Sequence, residues 1–154
     1  MGNTYTQCYL HIVFAVRFRQ ALIHSSWKDQ LEQYISGIIQ QRKHKLLAIG
    51  TMPDHIHILI GYNINELLTD LVQHIKTSSN RWINLTRLTK SKFYWQKGYG
   101  CFSYSRSQIS TVIKYIENQP LHHKNKSFKK EYIQTLQRFS IDYNEDYLFN
   151  FELE

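Results

Sequence analysis

The chain has 154 residues, 42% hydrophobic and 20% charged, which is enough for one domain with a single substantial core. No apolar run approaches the ~20 residues needed to span a bilayer, and the N-terminus lacks the basic and apolar regions of a signal peptide, so neither a spanning segment nor a signal peptide is expected in this sequence. Cys8 and Cys101 are isolated thiols without metal-ligand spacing and suit a reducing, cytoplasmic setting. Net charge is +7, and all 19 Lys and Arg precede Ile141 while five of the 12 acids follow it, leaving residues 1–140 at +12. With 14% aromatic residues, such a basic body suits a polyanion carrying unpaired bases, because cations neutralise phosphate and rings stack on bases.

Residues 5–18 read as a long strand, with Leu10, Ile12, Phe14, Val16 and Phe18 on one face and Tyr9, His11, Val13 and Arg17 on the other. Ser25 or Ser26 is expected to cap a helix in which Trp27, Leu31, Tyr34, Ile35, Ile38 and Ile39 recur at helical spacing. Residues 45–51 read as a second strand, Pro53-Asp54 as a turn, and residues 55–60 as the return arm of a hairpin. Asn65 is the expected cap of the next helix, whose buried stripe is Leu67, Leu68, Leu71, Val72, Ile75, Trp82 and Ile83. Phe93-Tyr94-Trp95 and Cys101-Phe102-Ser103-Tyr104 read as strands flanking Gly98-Tyr99-Gly100. Ser107 opens a helix that ends near Pro120, a basic helix covers 127–138, and residues 141–154 form an acidic, aromatic tail of the same domain. The order β-α-β-β-α-β-α predicts an α+β two-layer sandwich: a largely antiparallel sheet with helices on one face and the other face free to meet a ligand.

Two motifs carry chemistry. In His55-Ile56-His57, strict alternation puts both imidazoles on one face of a strand and Ile56, Ile58 and Ile60 on the other. Two nitrogens then converge above the sheet, an arrangement able to hold a catalytic metal ion. Eight His in this chain give about 0.4 such pairs by chance, so the pair needs independent support. That support lies in the helix after Ser107, where Ile109, Val112, Ile113 and Ile116 form the buried face and Tyr115 sits about 110° from its centre. Gln119 stands one turn further on. Taken alone, Tyr115 reads as a boundary tyrosine, half buried with its hydroxyl in water.

Together the motifs resemble the single-tyrosine HUH transposases of insertion sequences, which move as single-stranded DNA. The resemblance covers roughly residues 5–135. It rests on Tyr9-Leu10-His11-Ile12-Val13-Phe14, Pro53-Asp54-His55-Ile56-His57-Ile58-Leu59, Ile75-Lys76-Thr77 and Lys114-Tyr115-Ile116-Glu117-Asn118-Gln119. Residues 95–103 and 142–148 look closer to the REP-associated tyrosine transposases. The resemblance implies a ferredoxin-like HUH fold over residues 1–140, with His55 and His57 binding Mg²⁺ or Mn²⁺ and Tyr115 as nucleophile. Gln119 matches the position that completes the metal shell, with His122 or His123 as competitors for that role. It further implies a 5′-phosphotyrosine intermediate, a homodimer, and single-stranded DNA with hairpins as partner, without a membrane or a small-molecule substrate. Lys76, Arg81 and Arg87 are the candidates for phosphate contacts and Tyr99 and Phe102 for base stacking.

Three other readings compete. A domesticated REP-associated nickase keeps the same chemistry. A non-catalytic single-stranded nucleic-acid-binding module is suggested by Lys97-Gly98-Tyr99-Gly100-Cys101-Phe102-Ser103-Tyr104, which resembles the signature strand of RNA-recognition motifs but arrives too late in the chain for that fold. A histidine-triad hydrolase is ruled out because Leu59 occupies the third alternating position.

Overall fold

The computed structural model of the protein describes residues 2–122 and 127–148. Four strands, β1 (Tyr9–Ala15), β2 (Lys45–Met52), β3 (His55–Gly61) and β4 (Gly100–Tyr104), form one antiparallel sheet in the order β2-β3-β1-β4. Helices α1 (Ser25–Gln41) and α2 (Leu68–Leu85) lie on the face built from Ile12, Phe14, Ile56, Ile58 and Ile60. These are the alternate residues of β1 and β3, so period-two patterning decides which side enters the main core. The two helices meet through Tyr34 and Trp82, whose rings stack at 5.0 Å. Among the described residues, no helix is long and apolar enough to cross a membrane.

The second face carries His11, Val13 and Ala15 of β1, His55, His57 and Leu59 of β3, and Ala48 and Gly50 of β2, as the register requires. It is not left bare. Helix α3 (Ile109–Glu117) packs Val112 and Ile116 on Ala48 and Leu59, the short α4 (Gln119–His122) follows it, and α5 (Phe128–Arg138) brings Phe128, Glu131 and Tyr132 inward. Two glycines make room for this second layer. A Cβ on Gly50 would stand 2.4 Å from the Ile116 carbonyl oxygen, and one on Gly100 would stand 2.5 Å from the Tyr132 hydroxyl. Gly50 is the β2 partner of His57, so α3 settles directly beside the histidine strand.

Several boundaries differ from expectation. β1 stops at Ala15, and Phe18 lies 52% exposed in the 3₁₀ turn Arg17–Arg19, because Phe18 and Arg19 take left-handed backbone angles (φ 59° and 53°) that end the alternation. His24, not Ser25 or Ser26, caps α1: its Nδ1 accepts from the Ser26 amide at 3.0 Å. Asn65 does not cap α2, because its own amide bonds Asn63 Oδ1 and helical geometry starts only at Leu68, leaving Leu67 68% exposed rather than in the stripe. Ser105, not Ser107, opens the tyrosine helix, exchanging a capping box with Gln108 before a 3₁₀ turn leads into α3.

Residues 93–95 are not a strand. Asn84 of α2 both donates to the Phe93 carbonyl (2.9 Å) and accepts its amide (2.7 Å), and Asn80 accepts the Trp95 amide. Side chains thus take the backbone groups that a ladder would have used, leaving a single bridge between Val16 and Trp95. In the tail, a 3₁₀ turn at Glu145–Tyr147 brings Leu148 against the main core, where its carbonyl accepts from Gln96.

Candidate active site

His55 and His57 lie side by side on β3, ring centroids 5.2 Å apart and both buried. Each is held through Nδ1. His55 Nδ1–H donates to Asp54 Oδ1 at 2.7 Å, and Asp54 in turn accepts a forked pair from Arg19, with Nε at 2.9 Å. A carboxylate can only accept here, so His55 is protonated at Nδ1 and presents Nε2 as its lone-pair nitrogen. Phe128 stacks flat on the same imidazole (3.7 Å, 4°), and the Arg19 guanidinium lies over Phe128. The left-handed turn at Phe18–Arg19 is what swings that guanidinium onto Asp54.

Burial pushes the Asp54 carboxyl up, but the hydrogen bonds from His55 and Arg19, with the Arg19 charge, outweigh it and hold the group at about 2, below its ordinary 3.8. A carboxyl so lowered stabilises the fold fully above pH 4 and loses that contribution as pH falls through 2, worth about 2 kcal/mol in all. Asp54→Asn should therefore lower the urea midpoint at pH 7, with the gap from the unaltered chain closing between pH 4 and pH 2. A gap independent of pH would refute the assignment.

His57 Nδ1 is paired with His11 Nε2 at 2.8 Å, the rings stacked at 5.1 Å. His11 sits on the same sheet face because β1 and β3 pair Val13 with His57. Burial drops the His11 pKa to about 4, so His11 is neutral at physiological pH and can accept the His57 Nδ1 proton. In that tautomer His57, like His55, offers Nε2. Two imidazoles oriented by outer hydrogen bonds fit a divalent metal, since such partners fix tautomer and ring angle in metal sites.

Tyr115 projects from α3 toward this pair, its ring 5.8 Å from that of His57 and perpendicular to it. Its hydroxyl donates to Glu131 Oε1 on α5, and that oxygen lies 3.9 Å from His57 Nε2. Burial raises the Tyr115 pKa, and the Glu131 charge and hydrogen bond raise it further, while Gln119 acts weakly the other way. The phenol is therefore held protonated. Gln119 is 1% exposed, with its Nε2 at 3.4 Å from the Tyr115 carbonyl, one turn back as expected. His123 and the side chain of His122 lie outside the described residues. Among the described residues, no three His, Cys, Asp or Glu groups form a preassembled metal cluster.

The remaining sequence candidates are dispersed. Lys76 is half buried, donating to the Gln96 and Gly98 carbonyls at 2.8 and 2.6 Å, and burial lowers its ammonium to about 8. It thus fastens residues 96–98 to α2. Arg81 is exposed and lines, with Lys76, Lys92, Tyr94 and Lys97, a groove of about 590 Å³ between α2 and residues 92–97. That segment runs beside the end of β1, where Ala15 pairs with His55. Arg87 is exposed beyond the end of α2, and Tyr99 is half buried. Phe102 is corrected: it is 2% exposed, packed between Phe139 and Tyr132, and has no free face for a base. The RNA-recognition reading loses its central ring with it.

Three residues of the site had no assigned role in the sequence reading. His11 and Arg19 act on the histidine strand through pairing and a turn that only the fold reveals. Glu131 did carry a signal, being the sole acid between Glu117 and Asp142 in an otherwise basic stretch.

The sequence pattern of the family described as Transposase IS200 like matches residues 4–119, which include His55, His57 and Tyr115. The chain is 25% identical over 115 residues to the ISDra2 transposase TnpA of Deinococcus radiodurans, covering 71% of this chain and 81% of that one. A crystal structure from Deinococcus radiodurans R1, described as that of a transposase, superposes with a TM-score of 0.62 at 25% identity, over 77% of this chain and 95% of the other. A REP-associated tyrosine transposase bound to a REP hairpin shares the fold with a TM-score of 0.61 at 15% identity, over 80% and 73% of the two chains. An antiparallel sheet with a histidine pair on one strand, a tyrosine helix laid beside it, and this match over residues 4–119 place the chain in the IS200-like transposase family.

Proposed function

We propose that this transposase cleaves and rejoins single-stranded DNA at hairpin-bearing ends through a 5′-phosphotyrosine on Tyr115, with Mg²⁺ or Mn²⁺ held by His55 and His57. The observation that carries this reading is the convergence, within one chain, of the Tyr115 hydroxyl and His57 Nε2 on the same Glu131 oxygen. When bound, the ion supplies Lewis acidity at a non-bridging phosphate oxygen and positive charge beside the phenol. His11 and Asp54 keep both imidazoles in the tautomer that presents Nε2. Tyr115 Oη forms a bond to phosphorus as the bond to the 3′ oxygen breaks. The phenol loses its proton, and the departing oxygen gains one as a 3′-hydroxyl. The phosphodiester's energy stays in the phosphotyrosine, so a second 3′-hydroxyl can reverse the step and join strands.

Hairpin DNA is the proposed partner because the groove beside α2 offers Arg81, Lys92 and Lys97 with Tyr94, and because a relative of the same fold binds a REP hairpin. A homodimer belongs to the same proposal, since two tyrosines would serve two ends. The test is to incubate the protein with Mg²⁺ and labelled single-stranded hairpin DNA, then map any covalent adduct by peptide mass spectrometry. The expected adduct is on Tyr115, and an adduct on another residue overturns the assignment.

The groove makes its own prediction. Arg81→Ala and Lys97→Ala should weaken hairpin binding whatever the sequence, each reducing the salt-dependence slope by about 1. Fluorescence anisotropy over a salt series measures this, and unchanged slopes would remove the groove from the DNA path.

A further inference from the structure

The turn after β1 carries aromatic surface that neither the core nor the histidine pair uses. Phe18 is 52% exposed, and its left-handed backbone angle is an outlier for so bulky a residue. Holding Arg19 against Asp54 accounts for the turn, but not for a phenyl ring on its exposed side. A lone ring at the surface would mean little. This one belongs to a cluster.

The Arg17 guanidinium lies over the Phe18 ring at 4.8 Å and over the Tyr94 ring at 5.3 Å, and the Lys92 ammonium lies 5.3 Å from the Tyr94 ring. All four side chains belong to exposed residues. Rings and cations interleaved in this way offer an unpaired base a π-face and its phosphate a charge, a combination that holds single strands without reading their sequence. A second copy of this chain fits the cluster poorly, because like charges would face each other and the chain as a whole carries +7.

The backbone fixes which stretch of DNA the cluster would meet. The Arg17 amide donates to the Tyr94 carbonyl at 2.9 Å, fastening the turn to the segment that walls the groove beside α2. The Val16 amide donates to the Asp54 carbonyl at 2.8 Å, fastening the same strand end to the residue before His55. The cluster therefore stands between the basic groove and the histidine strand, and a DNA strand passing from one to the other crosses it.

We infer that Phe18, backed by Arg17 and flanked by Tyr94, is a stacking platform for an unpaired base of the DNA strand that joins the hairpin to the cleavage site. This rests on the single-stranded-DNA reading proposed above and adds a contact to it. The stacked base holds the strand on its way from the groove to the histidine pair.

Fluorescence anisotropy with two DNAs, a hairpin with a single-stranded flank and the same hairpin without it, tests the platform. Phe18→Ala should bind the flanked hairpin at least about fivefold more weakly and the bare hairpin within about twofold of the unaltered chain. Its salt-dependence slope should not change, because a lost stack releases no counterions. Phe18→Trp should restore the affinity. In the unaltered chain, 5-iodouracil placed at each flank position in turn should photocrosslink to Phe18 or Tyr94 from at least one of them, as peptide mass spectrometry would show.

Unchanged binding of the flanked hairpin by Phe18→Ala overturns this inference and leaves the single-stranded-DNA reading intact. So does an equal loss on both DNAs, or crosslinks that fall only on other residues. If sedimentation shows that Phe18→Ala dissociates a dimer while flanked DNA binds as before, the ring belongs to an interface between copies instead. Failure of the unaltered chain to bind either DNA refutes the single-stranded-DNA reading itself, and the platform with it.

Discussion

Tyr115→Phe is expected to form no covalent adduct with hairpin-bearing single-stranded DNA while binding that DNA as tightly as the unaltered chain. The ring keeps its place beside His57 and its packing at the edge of α3; only the hydroxyl is removed. Loss of a nucleophile costs orders of magnitude in rate, so cleavage should fall by at least about 10³-fold. The substitution also takes one hydrogen bond from the buried Glu131 carboxylate, which should destabilise the fold by about 1–3 kcal/mol. Denaturing gels measure the adduct, and urea unfolding measures the stability. The two effects separate the roles of the hydroxyl: an adduct that persists in Tyr115→Phe sinks the nucleophile assignment, and an unchanged stability sinks the bond to Glu131.

The parts legible in the sequence are those set by local periodicity. Alternation placed Ile56, Ile58 and Ile60 in the core and His55 and His57 on the opposite face, because side-chain direction in a strand needs no knowledge of the rest of the fold. Helical spacing likewise separated Val112 and Ile116 from Tyr115. What escaped depended on which elements meet. His11 reaches His57 only because β1 and β3 pair with Val13 opposite His57, a register fixed by the whole sheet. Glu131 lies on a helix whose charge pattern reads as a solvated basic surface, and only the docking of α5 turns it inward. Phe93 and Trp95 have strand-like composition and are buried, yet Asn84 and Asn80 take their backbone groups, so tertiary contact overrides propensity there. His24 caps α1 with a ring nitrogen, outside the usual set of capping side chains.

The docking of α3 yields the second large effect. Gly50→Ala should be judged on two opposed terms. In a strand interior, alanine is favoured over glycine by about 0.5–1 kcal/mol, because it restricts the unfolded chain less. Against that, the new Cβ would meet the Ile116 carbonyl oxygen at 2.4 Å and its Cγ2 at 3.0 Å. The first is a backbone atom of a helix and cannot swing aside, so α3 as a whole must lift from β2. Overpacking of this kind costs about 1–3 kcal/mol, and the contact term wins. Thermal unfolding should therefore show Gly50→Ala less stable than the unaltered chain. The displaced helix carries Tyr115 one residue before Ile116, so the hydroxyl moves relative to His57 and Glu131. A misplacement of about 1 Å is enough to cost about 10²-fold in rate, and adduct formation should fall accordingly. Hairpin binding should survive, because Arg81 and Lys97 belong to the groove on α2 and residues 92–97, which the α3 contact does not touch. A Gly50→Ala chain that is more stable and equally active would mean that strand propensity outweighs the contact, and that the close approach of α3 to β2 does not position the tyrosine.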